Sequence, residues 1–536
     1  MTEADPAASR PELPYRPTIP DIVRRAAVEF GHDDYVVLPD RRMSFRDVEA
    51  ASRRLAKQLL AAGAGKGTRI GLHLPNSPEW VVAFLGVSRI GALAMPFSSL
   101  YRPAELRTAM RVGDVSILLS RSRLLGRDHE GFLEEALPGL EGSDAGKLRI
   151  RETPYLRSIW LLGGTSRQWA RSFEMSATGA EEPVDGVDES LLEAVEAEVT
   201  PADPLTAVFT SGSTADPKAV VHSQGAVLRK MAPIANAALN AMFGGRVLSL
   251  MPFFWNGGMQ EVLAALQSGA ALVTLERPDS AAALELAKRE RVTSIKEAIV
   301  ARHSLFSGVD TAREVPSLRP LPPRPWDGGR SERGDLAFGI GMTETFGLWT
   351  NVDGMDCRTV DPDTGAPVSD GEIGEFLVRG YCLMQGLYKR EREDVFSADG
   401  FYATGDLGYT EHGKFYFRSR INDMIKTKGA NVAPAEVEAV LNADPTLHAS
   451  FVVGLPHDTY GEEVVAAVVP GHGETVEVDA LLDRCRRTLS SYKVPRAIVV
   501  LQEDEVPRLS SGKLDRGALK ARLDRATTGA VDNAET

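Results

Sequence analysis

The chain has 536 residues, too many for a single hydrophobic core, so two or more domains are expected. Its 43% hydrophobic and 25% charged residues are typical of an ordinary globular protein. The net charge of −13 argues against a nucleic-acid partner, because such a partner needs a clustered basic surface. An anionic substrate would therefore depend on local cations.

Cysteine usage and the apolar stretches favour a cytoplasmic protein. Cys357, Cys382 and Cys485 lie far apart and have no metal-ligand spacing, which indicates reduced thiols. The acidic, proline-rich start lacks the basic residues and apolar run of a signal peptide. The most apolar stretch, residues 79–97, is interrupted by Arg89, so we expect a buried helix and strand and no membrane span.

Helical and strand patterns alternate over the first 300 residues. Residues 44–63 predict an amphipathic helix that Ser44 caps and Gly63 ends. A short apolar strand and the helix at 79–90 follow, and the alternation returns between residues 246 and 275. This order favours a parallel sheet covered by helices.

The pattern changes near residue 371 to short strands with glycine turns, which predicts a β-rich region closing the large domain. Mixed α and β patterns return after Arg420, including a helix with Pro434 in its first turn. We therefore predict domains at residues 1–421 and 422–536. Residues 303–336, rich in proline and arginine, predict a long surface loop.

The stretch "FTSGSTADPKAVV" at residues 209–221 has the composition of a phosphate-binding loop. Apolar strand patterns flank it, so it joins two strands and is neither a Walker loop nor a dinucleotide motif, both of which open a helix. Its backbone N–H groups, hydroxyls and lysine could bind phosphate oxygens, although a polar turn fits equally well. The candidate ligands are Thr210, Ser211, Gly212, Ser213, Thr214 and Lys218.

Three further motifs each allow two interpretations. Glu344 in "GMTETFG" could bind magnesium or simply begin a helix. Asp406 in "YATGDLG" is predicted in a turn between strands, where it could bind a ribose or stabilise the turn. Lys513 in "SSGKLDR" is either a functional cation or an ordinary solvated charge.

Together, the hydroxyl-rich loop, Glu344, Asp406, Arg420 and Lys513 occur in an order that resembles the acyl-adenylate-forming superfamily. That superfamily includes acyl- and aryl-CoA synthetases, luciferases and peptide-synthetase adenylation domains, and the resemblance runs from about residue 20 to 522. It implies an α/β fold with a large N-terminal domain of helix-covered sheets, a β-rich closing subdomain and a small, mobile α+β C-terminal domain.

The resemblance also implies the chemistry. A carboxylate attacks the α-phosphate of ATP, pyrophosphate leaves, and a thiol, usually that of CoA, displaces AMP. The loop from Thr210 to Lys218 would hold the β- and γ-phosphates, with Glu344 on Mg²⁺ and Thr343 near the α-phosphate. These roles rest on positioning and charge neutralisation.

Four positions have implied roles beside the phosphates. Asp406 would hold the ribose with help from Arg420, and Lys513 would contact the α-phosphate and the attacking carboxylate. Asn422 takes the hinge position, and Gly429 would let the pantetheine arm pass close to the backbone.

Departures from the family pattern concern the adenine and acid pockets. Ile340 stands where the family has an adenine-stacking aromatic residue, and residues 320–330 replace a glycine-containing adenine wall. Trp255 takes the gating position of the acid pocket, which disfavours an α-amino acid and favours a small aryl or medium acyl acid. The expected pocket residues are Trp255, Asn256, Gly257, Lys296 and Glu297.

The leading prediction is thus an AMP-forming acid–thiol ligase that uses ATP and Mg²⁺, adenylates a small aryl or medium acyl acid, and takes CoA as co-substrate. One alternative is a specialised-metabolism member that activates nitrite to diazotise an aryl amine such as an aminobenzoate. A second alternative is a non-catalytic homologue. The sequence leaves the oligomeric state open, with a homodimer as one alternative.

Overall fold

The structure, a computed structural model, is described here for fourteen stretches of the chain. They are residues 10–175, 184, 186–210, 217–232, 245–296, 306, 309–319, 340–350, 352–427, 430–432, 434–457, 461–489, 493–509 and 512–531. The described residues form two compact units. The first takes its residues from 1–326, 339–356 and 379–400, and the second from 357–378 and 401–536. The predicted boundary at 421/422 stays a prediction. It marks a hinge about which the C-terminal domain would move, and the division into compact units does not test such a movement.

Helices and strands alternate through the first unit, and strands dominate the second. The helices are α1 Ile19–Glu29, α2 Phe45–Ala61, α3 Pro78–Arg89, α4 Pro103–Val112, α5 His129–Ala136, α6 Glu189–Glu198, α7 Gln224–Met231, α8 Asn256–Ser268, α9 Ser280–Arg289, α10 Thr311–Glu314, α11 Pro434–Leu441, α12 Val478–Thr488 and α13 Arg516–Val531. The strands up to residue 300 are β1 Asp34–Val37, β2 Arg42–Ser44, β3 Arg69–Leu72, β4 Leu93–Pro96, β5 Ile117–Arg121, β6 Arg123–Leu124, β7 Arg127–Asp128, β8 Ser158–Leu162, β9 Ala170–Ser172, β10 Pro204–Thr210, β11 Lys218–Ser223, β12 Arg246–Ser249, β13 Ala271–Thr274 and β14 Ser294–Lys296. The later strands are β15 Gly341–Met342, β16 Gly347–Leu348, β17 Met355–Val360, β18 Gly374–Gly380, β19 Gly386–Leu387, β20 Tyr402–Glu411, β21 Lys414–Arg420, β22 Ile425–Thr427, β23 Ala430–Val432, β24 Leu447–His457, β25 Gly461–Pro470 and β26 Ala497–Val500.

Two largely parallel sheets form the first unit. The larger has the order β19-β11-β10-β4-β3-β5-β8-β9, and the smaller has the order β14-β12-β13-β1-β2. Helices α1, α2, α3 and α8 share one apolar core with strands of both sheets. This arrangement confirms the predicted helix-covered parallel sheets, since buried parallel strands need helices on their faces.

Local signals explain where helix α2 begins and ends. Ser44 accepts a hydrogen bond from the Asp47 backbone N–H, while the Asp47 side chain accepts one from Ser44, which completes a capping box. Gly63, just beyond the helix, has a φ of 79°, which favours glycine. The predicted helix at 44–63 is therefore confirmed.

The second unit contains two sheets, ordered β17-β18-β20-β21 and β23-β22-β25-β24, with β26 beside β25. The predicted turn at Asp406 is wrong, because Asp406 lies inside strand β20. Gly405, with a φ of 71°, bends the chain locally, and the register shifts between Leu407 and Gly408. The glycine therefore marks an irregularity within a strand and not the end of one.

The predicted surface loop at residues 303–336 falls mostly outside the described residues. Of the described part, residues 311–314 form α10, and the side chains of Phe306 and Val315 are buried in an apolar cluster with α9. That part of the prediction is wrong, because apolar side chains that precede the prolines anchor the segment. Among the described helices, none has the length and apolar character needed to cross a membrane.

Candidate active site

The predicted phosphate loop connects two neighbouring antiparallel strands. Thr210 ends β10 and pairs in register with Lys218, which begins β11. The loop itself, with Ser211, Gly212, Ser213 and Thr214, lies outside the described residues. The structure thus confirms that the loop joins two strands and opens no helix.

A short helical turn at Thr343–Thr345 carries Glu344, and hydrogen bonds fix its backbone. The His222 ring donates from Nε2 to the Thr343 carbonyl oxygen at 2.7 Å. The Met384 N–H donates to the Glu344 carbonyl oxygen, also at 2.7 Å. Lys230 donates from Nζ to the Thr345 carbonyl oxygen. Three successive carbonyl groups are therefore each bonded from a different part of the first unit.

His222 links the hairpin to this turn. It belongs to β11, is fully buried, and packs edge-on against Phe346 with ring centroids 5.1 Å apart. Burial lowers the pKa of His222 to about 3, so the ring is neutral at physiological pH. Because the Thr343 carbonyl can only accept, Nε2 carries the hydrogen.

Lys230 is a buried cation near the end of helix α7. Its ammonium donates to the carbonyl oxygens of Thr345 and Leu348 and lies 3.7 Å from the Cys382 sulfur. Burial lowers the pKa of Lys230, and only 5% of the residue is exposed. Sequence reasoning missed this lysine and His222, since their partners lie more than 100 residues away and no spacing signals them.

Asp406 and Arg420 form an ion pair in the second unit. They are register partners in β20 and β21, and Arg420 Nε lies 2.5 Å from Asp406 Oδ1. The Asp406 side chain is buried, while half of the Arg420 side chain is exposed. The guanidinium also donates to the Thr404 carbonyl oxygen at 3.3 Å. The pair presents one fixed carboxylate beside one accessible cation.

Two further predicted residues of the second unit, Asn422 and Lys513, lie in turns. Lys513 is exposed and follows Gly512, whose φ is 76°. Its carbonyl oxygen accepts a hydrogen bond from the Leu509 N–H at 2.8 Å. Asn422 lies in the short helical turn Ile421–Asp423, and Gly429 lies outside the described residues. The hinge and pantetheine roles stay predictions.

The predicted acid pocket surrounds the start of helix α8. Trp255 precedes the helix, and its ring packs edge-on against Phe254 at 5.6 Å. A Cβ on Gly258 would lie 2.1 Å from the Pro252 carbonyl oxygen, so only glycine fits there. The same construction on Gly257 lies 2.5 Å from the Cε atom of Met251, so the flexible end of that side chain occupies the space beside Gly257.

Lys296, the other described residue of the predicted acid pocket, lies at a strand end. Lys296 ends β14 and pairs in register with Ser249 at the end of β12. Glu297 lies outside the described residues. Sequence reasoning missed Glu261 of α8, which is 8% exposed and accepts a hydrogen bond from the Ser249 hydroxyl. Burial raises the pKa of Glu261 to about 7.

Of the positions predicted to shape the adenine pocket, Ile340 lies among the described residues. Ile340 is 6% exposed, and its backbone N–H donates to the Thr350 hydroxyl at 3.0 Å. The Ile340 side chain thus packs inside the first unit. Residues 320–330 lie outside the described residues, so the prediction of an altered adenine wall stays a prediction.

A cavity of about 520 Å³ opens at the carboxyl ends of strands from both sheets. Carboxyl ends of parallel strands are the usual place for ligands in open α/β sheets. Arg127 and Arg277 supply cations to its wall, and Asp128 and Glu276 supply carboxylates, of which Glu276 pairs with Arg41 and Arg121. Its other lining residues include His73, Tyr101, His129, Phe132, Pro252 and Phe254.

Comparison with known proteins decides the family. Residues 23–388 match the AMP-binding enzyme family, and residues 436–513 match the AMP-binding enzyme C-terminal domain. The chain belongs to the family of AMP-binding enzymes.

Relatives across this family are CoA ligases. 4-Coumarate–CoA ligase 5 of Oryza sativa subsp. japonica is 27% identical, with 90% of this chain and 89% of that protein covered. Sulfoacetate–CoA ligase of Cupriavidus necator is 26% identical, with 93% and 96% covered. The resemblance stated above and the prediction of an AMP-forming acid–thiol ligase are confirmed at this level.

Solved structures support the fold. The anthranilate CoA ligase AuaEII in complex with anthranoyl-AMP matches with a TM-score of 0.74 and 21% identity, covering 98% of this chain and 100% of that one. At this identity the match concerns the fold alone. The predicted α/β architecture, with a large N-terminal and a small C-terminal domain, is confirmed.

Proposed function

We propose that the protein adenylates a small aryl or medium acyl acid with ATP and Mg²⁺ and then transfers the acyl group to CoA. The observation that carries this proposal is the hydrogen bond from His222 to the Thr343 carbonyl oxygen. It fastens the turn carrying Glu344 to the hairpin whose loop is rich in hydroxyls. Hydroxyls, a cation and a carboxylate are what a metal-bound triphosphate requires.

Glu344 would hold the magnesium ion. Mg²⁺ usually binds through one or two carboxylates together with substrate phosphates, and a single carboxylate on a fixed turn fits that pattern. Thr343 would lie beside the α-phosphate, and Thr210, Lys218 and the loop between them would bind the outer phosphates. The metal would offset charge on the phosphate oxygens, while these side chains orient them.

The second unit would supply the remaining contacts. The buried Asp406 carboxylate, oriented by Arg420, would accept hydrogen bonds from the ribose hydroxyls. The exposed ammonium of Lys513 would neutralise charge on the α-phosphate and the attacking carboxylate.

The acid and the thiol would approach from different sides of β12. Ser249, at the end of β12, bonds to Glu261 on the side of the acid pocket, whereas Leu250 lines the 520 Å³ cavity. Successive residues of an extended chain face opposite ways. Arg127 and Arg277 give that cavity cations suited to the phosphates of CoA.

The test is a product assay with the full chain, ATP and Mg²⁺. AMP and pyrophosphate are followed for benzoates, cinnamates and medium-chain acids, with and without CoA. We expect AMP release that depends on one class of acid, and a matching CoA thioester. Absence of acid-dependent AMP release would contradict the proposal. The nitrite alternative stays a prediction, and nitrite with an aminobenzoate in the same assay tests it.

A further inference from the structure

Cys382 lies between the buried Lys230 ammonium and the thioether of Met355. The ammonium donates from Nζ to the Cys382 sulfur at 3.7 Å, and the thiol in turn donates to Met355 Sδ at 3.1 Å. A thiol is both a weak donor and a weak acceptor, so one side chain can fill both roles. Cys382 is only 1% exposed and is not among the residues that line the 520 Å³ cavity. Contacts with protein groups therefore define what this thiol does.

The Cys382 sulfur completes the hydrogen bonds of the Lys230 ammonium. An ammonium has three N–H donors, and its other two partners in the described chain are the carbonyl oxygens of Thr345 and Leu348. A buried charge is tolerated only when its donors are satisfied. Burial lowers the pKa of Lys230 and the neighbouring Cys382 raises it, so the sulfur favours the charged form of the lysine.

The backbone around Cys382 is fixed on both sides. Gly380 has a φ of 152°, and a Cβ there would lie 2.3 Å from the Gly354 carbonyl oxygen, so only glycine allows this close approach. Two residues beyond Cys382, the Met384 N–H donates to the Glu344 carbonyl oxygen at 2.7 Å. The thiol is therefore held in place by a backbone that itself contacts the turn of Glu344.

We propose that Cys382 is a positioning residue for the turn of Glu344 and that it acts through Lys230. Its sulfur takes one N–H of the ammonium, which leaves the other two directed at the carbonyl oxygens of the turn and of the strand after it. The chain around Cys382 thus supports the turn twice, through this side chain and through the Met384 backbone. The inference rests on the function proposed above, in which Glu344 binds Mg²⁺.

The experiment measures the Mg²⁺ requirement of acid-dependent AMP formation by the full-length protein. Cys382→Ala removes the sulfur, so Lys230 loses one partner and the turn loses part of its support. We expect the Mg²⁺ concentration for half-maximal rate to rise about threefold or more, while KM for the acid stays unchanged. Cys382→Ser keeps a donor and an acceptor at the same position and should restore most of the wild-type requirement.

Cys485→Ala is the matched control for Cys382→Ala. Cys485 is also fully buried, but it belongs to helix α12 of the second unit. Thermal unfolding of both alanine variants separates a general loss of stability from an effect on the turn. The control should lose stability and keep the wild-type Mg²⁺ requirement.

A double variant tests whether Cys382 acts through Lys230. The ammonium is absent in the Lys230→Met background, so adding Cys382→Ala there should change the Mg²⁺ requirement by less than about twofold. The full rise in that background would mean that the thiol supports the turn by a route that does not include the lysine.

The outcomes separate the two proposals. Acid-dependent AMP release with a wild-type Mg²⁺ requirement in Cys382→Ala, no recovery in Cys382→Ser, or the full rise in the Lys230→Met background overturns the role of Cys382 and leaves the proposed ligase intact. Wild-type protein that releases no AMP with any acid overturns the proposed function and, with it, this inference.

Discussion

At the residue scale, three buried polar groups of the first unit have partners that only the fold provides. His222 is neutral, Lys230 is a cation among carbonyl oxygens, and Glu261 is an acid with a raised pKa. Two of them hold the turn of Glu344, and the third bonds to Ser249 at the end of β12. Burial is the main cause of the shifted pKa of each group, since in water each side chain would keep its ordinary pKa.

Lys230→Met tests whether this lysine positions the turn. The variant leaves two carbonyl oxygens without their donor, so we expect a stability loss of about 1–3 kcal/mol. We also expect kcat for AMP formation to fall at least about tenfold, with a higher Mg²⁺ requirement, since Glu344 loses its fixed support.

Lys57→Met serves as the control for Lys230→Met. Lys57 is also buried, and its ammonium lies 2.6 Å from Glu189. The Lys57→Met variant should be less stable than the wild-type protein, but its Mg²⁺ requirement should be unchanged. If both lysine variants kept the wild-type Mg²⁺ dependence, the positioning role of Lys230 would be refuted.

The buried histidine pair His73 and His129 predicts acid lability. Their rings lie 4.8 Å apart, and burial lowers the pKa of His129 to about 4 and that of His73 well below its usual value. The unfolded chain takes up protons below about pH 6.5 while the folded chain does not, so stability falls as pH drops through that range.

His129→Gln removes one of the two titrating groups. Between pH 7.5 and 5, urea unfolding should show wild-type protein losing about 2 kcal/mol more than the variant, since 1.5 pKa units correspond to roughly that energy. His73 is present in both proteins, and the largest cause of its lowered pKa is its own burial, with a smaller contribution from His129, so most of its effect is common to the two. Equal losses would mean that His129 is protonated in the folded state.

At the element scale, helix α8 carries two residues of the predicted acid pocket, Asn256 and Gly257, and its first turn depends on Gly258. Gly258→Ala should cost about 1–3 kcal/mol through a clash with the Pro252 carbonyl oxygen. Gly65→Ala is the control, because a Cβ there has no neighbour within 4 Å. Thermal unfolding of the two variants makes the comparison, and equal midpoints would contradict the close approach.

Local sequence signals predicted some elements well and others poorly. The capping residues of α2 were sufficient because Ser44 and Asp47 lie three residues apart. Asp406 was placed in a turn because glycine in a strand resembles glycine at a strand end. The site was predicted where motifs are contiguous, but Lys230 and Glu261 were missed because their partners are assembled by the fold.

At the scale of the whole molecule, the residues with proposed nucleotide-binding roles are divided between the two compact units. Thr210, Lys218 and Glu344 belong to the first, whereas Asp406 and Lys513 belong to the second. Neither unit alone carries every group that adenylation would need. Catalysis should therefore require the full chain.

Acid-dependent AMP formation by wild-type protein and by Lys513→Ala tests the central claim most directly. We predict that wild-type protein forms AMP and pyrophosphate in equal amounts with a small acid, and a CoA thioester when CoA is present. Lys513→Ala should slow AMP formation about 100-fold or more, because it removes the ammonium that would neutralise negative charge on the α-phosphate and the attacking carboxylate. Cleavage of ATP to ADP, or an unchanged rate in Lys513→Ala, would contradict the account.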